Sequence, residues 1–158
     1  MTLDPDEIRS KFKSALYKFL QCDLVLLEIN VNERTITHKL AEHLQQEFPG
    51  YDVDCEYNRH INERKKLPIP PHNFKGPDLW HDTGAKTVYP DIVVHRRMSD
   101  ENLLVIEAKK SSSKDDPDWD KAKLKAFKGE NYNYRMAIFV SFRVGKTSGE
   151  RFHFEEVA

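Results

Sequence analysis

Leu103-Leu104-Val105-Ile106-Glu107-Ala108-Lys109-Lys110 is a short apolar run that ends in charge. Entered from the turn-like Met98-Ser99-Asp100-Glu101-Asn102, it reads as a strand. Residues two apart on a strand point to the same face, so Glu107 and Lys109 project together while Ala108 turns the other way. Upstream, Tyr89 to His95 is a second strand candidate, with Pro90 at a permitted start. Fifteen residues separate Asp91 from Glu107, which suits two adjacent antiparallel strands. That pairing brings Asp91 within reach of Glu107 and Lys109. Charges that end an apolar strand need partners or a metal.

Towards the C-terminus, a polar connection leads to a charged helix near Asp118 to Lys128. An apolar strand, Met136 to Phe142, and a shorter alternating one, Arg151 to Val157, follow. Towards the N-terminus, a helix over residues 4–22 opens at Asp4-Pro5, a capping residue before proline. Its Ile8, Phe12, Ala15, Leu16, Phe19 and Leu20 fall at helical spacing, so that face packs inward. Leu24 to Ile29 fits a strand or a helix start. A second helix runs from Glu33 to Phe48, carries Ile36, Leu40, Leu44 and Phe48 on one side, and stops at Pro49-Gly50. From Asp52 to Arg59, Val53, Cys55 and Tyr57 alternate with polar residues in the period of a strand.

The order of elements is therefore helix, helix, three strands, helix, two strands. The pattern implies a single α/β domain over residues 1–158, a mixed sheet flanked by helices. Residues 59–86 stand apart, with Pro68, Pro70, Pro71, Pro77 and the run Arg64-Lys65-Lys66. A loop this long in a compact domain is usually functional or disordered. Arg59, Arg64, Lys65 and Lys66 make it a candidate phosphate-binding segment, and His95-Arg96-Arg97 is another.

Composition narrows the classes further. Charged residues are 32% of the chain, yet the formal net charge is −1, so attraction to nucleic acid has to come from local patches. Two cysteines, Cys22 and Cys55, are too few for a disulfide framework and read as small buried residues. Neither a secretory leader nor a run long enough to span a bilayer is evident, so the expectation is a soluble cytoplasmic protein with no membrane partner. No two of the seven histidines have helical ligand spacing with a third nearby, and zinc spacings are missing.

Two carboxylates beside an ammonium have a definite chemical use. Asp91 and Glu107 are hard oxygen donors suited to Mg²⁺, with Mn²⁺ as a substitute, alongside waters and phosphate oxygens. Such a cation polarises a phosphoryl group and lowers the pKa of bound water. Lys109 beside it can orient that water or stabilise charge in the transition state.

Pro90-Asp91 followed by Glu107-Ala108-Lys109 resembles the motif of the PD-(D/E)xK nuclease superfamily, which includes restriction endonucleases and Holliday-junction resolvases. Residues 31–142 resemble the family core, a helix, three strands, a helix and a strand in αβββαβ order. The resemblance implies a restriction-endonuclease-like fold and a Mg²⁺-dependent endonuclease acting on DNA, with RNA as the other substrate class. Asp91, Glu107 and Lys109 would be catalytic, and Asp91, Glu107 and the Ala108 carbonyl would hold the metal.

The resemblance also suggests Glu33 as a further metal carboxylate, since it shares a helical face with Ile36, Thr37 and Leu40. Asn30 as cap would instead make Glu33 the closing residue of a capping box. A second Pro-Asp pair, Pro77-Asp78, does not continue as a buried strand. The glutamine that resolvase-like members often carry on the next helix is replaced by Lys121, Lys123 and Lys125. Cutting both strands of a duplex needs two sites, which a homodimer supplies. The alternative is a non-catalytic nucleic-acid-binding or protein-interaction module on the same fold, whose sign would be a broken trio. Here the trio is intact.

Overall fold

The computed structural model describes residues 2–57 and 89–158 in full; between them it describes only the backbone of 59–60, 63–64, 66–67 and 86–87. Helix α1, Pro5–Glu28, begins with a reciprocal capping box: Asp4 accepts from the Glu7 N–H and Glu7 accepts from the Asp4 N–H, each at 2.9 Å. Its inward stripe of Ile8, Phe12, Ala15, Leu16 and Phe19 is buried. The ambiguous Leu24 to Ile29 segment is helical almost to its end, because α1 continues past a kink at Asp23. Helix α2, Glu33–Glu47, is capped by Asn32 rather than Asn30, with the Asn32 side chain accepting from the Thr35 N–H. That shift puts Glu33 at the first helical position, so it closes no capping box.

Strand β1, Asp52–Cys55, is shorter than the alternation suggests. Four two-residue strands follow, β2 (Arg59–His60), β3 (Glu63–Arg64), β4 (Lys66–Leu67) and β5 (Lys86–Thr87), pairing as β2 with β3 and β4 with β5. Then come β6 (Ile92–His95), β7 (Asn102–Lys110), α3 (Pro117–Phe127), β8 (Met136–Phe142) and β9 (Phe152–Glu156). Tyr89, Pro90 and Asp91 precede β6 instead of belonging to it.

The main sheet runs β1-β6-β7-β8-β9 and is mixed: β7 and β8 are parallel, and the other neighbours are antiparallel. The parallel pair requires a crossover, and α3 supplies it. Along β7 the pleat divides two cores. Leu104, Ile106 and Ala108 pack with Ile92, Val94 and the buried stripes of α1 and α2. Val105 packs with Val93, Ala137, Phe139 and, from α3, Trp119, Leu124 and Phe127. The molecule is thus three layers, α1 and α2 on one face of the sheet and α3 on the other. Among the described residues, no helix is long and apolar enough to cross a membrane.

Candidate metal and phosphoryl-transfer site

Strand register places the carboxylates. Val93 on β6 lies opposite Val105 on β7, and both face α3. Two residues past Val105, Glu107 falls on that same face by the alternation of the pleat, and Asp91, just before β6, is its carboxylate neighbour. Asp91 Oδ2 accepts the Ala108 N–H at 2.8 Å, which ties the residue before β6 to the middle of β7. Glu107 is 1% exposed and Lys109 is 9% exposed. Asp91, Glu107 and Lys109 therefore come together as the period-two spacing predicts.

Glu107 and Lys109 do not pair with each other along the strand. Each is met by a residue of α3. The Lys109 ammonium lies 2.6 Å from Asp120 Oδ2, and the Lys123 ammonium lies 2.8 Å from Glu107 Oε1 and 4.0 Å from Asp120 Oδ1. Asp120 and Lys123 are 7% and 8% exposed, buried with the apolar side of the helix. Sequence reading placed Lys123 only as a substitute for glutamine and missed Asp120. A signal was present: Asp120, Lys123, Leu124 and Phe127 follow the i, i+3, i+4, i+7 spacing of one helical face.

Burial away from water makes these charges consequential. It pushes the Glu107 carboxyl well above the usual carboxylate range; the neighbouring Asp91 carboxylate pushes the same way, against the pull of Lys123. Burial also raises the Asp120 carboxyl, although the Lys109 ammonium opposes it. For Lys123 burial favours the neutral form, but Glu107 and Asp91 outweigh it and hold the ammonium more basic than usual.

Glu33 reaches the site from α2. Its Oε2 accepts the Lys110 N–H at 3.2 Å, and burial raises its carboxyl above the usual range. Among the described residues, no three His, Cys, Asp or Glu side chains are grouped so as to hold a metal ion, so Glu33 does not close a carboxylate cage with Asp91 and Glu107.

Four carboxyl groups, Asp91, Glu107, Asp120 and Glu33, thus surround two ammonium groups, Lys109 and Lys123. Fully ionised, the cluster carries two negative charges in excess. Glu107 Oε1, in ionic contact with Lys123, has no further hydrogen bond. A hard divalent cation is suited to both features, since it would cancel the excess and take the free lone pairs. Asp91 and Glu107 are the hard oxygen donors that such a cation would use, and waters or substrate oxygens would have to complete its shell.

The basic candidates separate. The side chains of Arg59, Arg64, Lys65 and Lys66 lie outside the described residues. His95, Arg96 and Arg97, read as a phosphate-binding run, each have an acidic partner within the chain, with the two arginines at the surface. His95 Nε2 is 2.8 Å from Asp54 Oδ2, Arg97 Nε donates to the same oxygen at 2.9 Å, and Arg96 pairs with Glu101 at 3.2 Å. Both cysteines are exposed residues rather than buried ones. Partial burial of the Cys55 sulfur, reinforced by the Asp91, Glu56 and Asp54 carboxylates, pushes its thiol up to about 11. Comparison with protein-family models, with curated proteins and with solved structures finds no match to this chain.

Proposed function

We propose that this protein is a metal-dependent nuclease that hydrolyses phosphodiester bonds in DNA, built on a restriction-endonuclease-like core. The observation that carries the reading is the convergence of Asp91, Glu107 and Lys109 at the buried end of β7. The buried carboxyl and ammonium groups gathered around that trio support it.

Asp91 and Glu107 would hold Mg²⁺ or Mn²⁺ through hard oxygens. The Ala108 carbonyl would be a third donor, as the resemblance implies, beside the Ala108 N–H that Asp91 Oδ2 already accepts. When bound, the cation would polarise a phosphoryl oxygen and make its water a stronger acid. Asp120 holds the Lys109 ammonium through a 2.6 Å contact, which fixes where its positive charge meets the phosphate. Lys109 then stabilises negative charge as it grows on the phosphoryl oxygens and orients the attacking water. Glu33, bonded to the Lys110 N–H, steadies the end of β7 and stands by as a water-mediated contact. A homodimer would present two such sites to the strands of a duplex.

A panel of duplex, single-stranded and branched DNA, with RNA alongside, tests this in Mg²⁺, Mn²⁺ and EDTA. Cleavage should require the cation. Lys109→Ala should keep substrate affinity and lose roughly 10²–10³ in rate, the usual cost of one electrostatic contact to the transition state. Cleavage by Lys109→Ala at the parental rate would rule the lysine out. Binding without cleavage by the parent would favour the non-catalytic module.

A further inference from the structure

We propose that Lys123 is the internal counterion of the metal site, an ammonium that stands against Glu107 in the cation-free protein and is displaced when the cation binds. This rests on the metal-site reading above. Three observations carry it. Lys123 and Glu107 are both buried, and their charged atoms are 2.8 Å apart. The contact is a charge-assisted pair whose Glu107 oxygen, like Asp120 Oδ2 beside Lys109, has no further hydrogen bond, so a divalent cation with the stronger charge can take the ammonium's place there. Lys123 also has somewhere to go: Asp120 Oδ1 is 4.0 Å from its Nζ, and the lysine stem has rotatable bonds enough to move the ammonium there.

Lys109 and Lys123 then have separate tasks. Lys109 is gripped by Asp120 at 2.6 Å on the strand side. Lys123 approaches Glu107 from the helix side, occupying the charge position that a cation would take. Unpaired buried carboxylates are costly, so a site waiting for a metal needs such a placeholder. The same ammonium competes with the metal, since a single charge about 5 Å from a divalent ion weakens binding roughly tenfold or more even with water-like screening.

The experiment compares the parent with Lys123→Met, which keeps the stem and removes the charge, and with Lys125→Met, an exposed control on the same helix. Mn²⁺ affinity is measured by calorimetry at pH 8, and thermal midpoints are taken in EDTA and at saturating Mn²⁺. Lys123→Met should bind Mn²⁺ at least tenfold more tightly than the parent. Its midpoint should fall by roughly 10 °C in EDTA, as expected for a buried charge left alone, and recover with Mn²⁺. Lys125→Met should match the parent in both respects.

Equal or weaker Mn²⁺ binding by Lys123→Met overturns the proposal, even if the parent cuts DNA. A parent that binds Mn²⁺ but cuts nothing sinks the nuclease reading and leaves the counterion standing. If neither protein takes up Mn²⁺, the metal site falls and this inference with it. The parent gives an independent check that needs no folded variant: the buried Lys123 ammonium should show a slowly exchanging nitrogen resonance in EDTA that shifts on adding Mg²⁺. A resonance unchanged at saturating Mg²⁺ also overturns the proposal.

Discussion

Asp54 shows how much one carboxylate depends on its neighbours. Burial alone would push it up, but the His95 and Arg97 side chains bond both of its oxygens and hold it well below the usual carboxylate range. A depressed acid stabilises the fold above its unfolded value, about 3.9, and loses that contribution as pH falls through the folded value. Asp54→Asn should therefore cost about 1.5–3 kcal/mol near pH 6, the range of charge-assisted hydrogen bonds. The gap between parent and variant in urea denaturation should narrow steadily as pH falls below about 4, the unfolded value, towards the depressed folded one. A gap constant over that window would mean that the charge is immaterial. The triplet His95-Arg96-Arg97 was legible in the sequence as basic. Its commitment to Asp52, Asp54 and Glu101 was not, because those partners are set by the β1–β6 register and the following turn.

At the scale of elements, the start of α2 fixes where Glu33 points. Asn32 caps the helix through a 2.9 Å bond from the Thr35 N–H, which leaves Glu33 at the first helical position facing the Lys110 N–H. Asn32→Ala should cost about 1 kcal/mol in chemical denaturation, the usual value of such a cap. A loss below about 0.3 kcal/mol would show that the Glu33–Lys110 tie, not the cap, holds that end, since caps ordinarily exceed that figure. Read from the sequence, the cap falls at Asn30, and the chain path after α1 moves it to Asn32. That path depends on Asn30, which adopts φ 53, a left-handed conformation that asparagine tolerates.

For the molecule as a whole, a net charge of −1 gives no general attraction to a polyanion. Affinity for DNA must then come from a local patch, and Arg64-Lys65-Lys66 is the densest basic run in the chain's proline-rich segment. Replacing all three should flatten the salt dependence of duplex binding by about 0.9 logarithmic units for each phosphate that the protein no longer neutralises. A parental slope in the triple variant would show that binding runs through another surface.

The sequence by itself determined the main helices, the apolar strands and the shared face of Glu107 and Lys109, but not the short strands β2 to β5 or the end of α1. Apolar spacing and the two-residue period of a strand are local, so they can be read residue by residue. Tertiary structure alone decided what stands opposite that pair. Packing α3 across the β7–β8 crossover turns Asp120 and Lys123 inward onto Lys109 and Glu107. On the sequence they are two more charges in a charged helix. The difference is burial: a charge in water is satisfied anywhere, whereas a buried charge must find its partner across the fold.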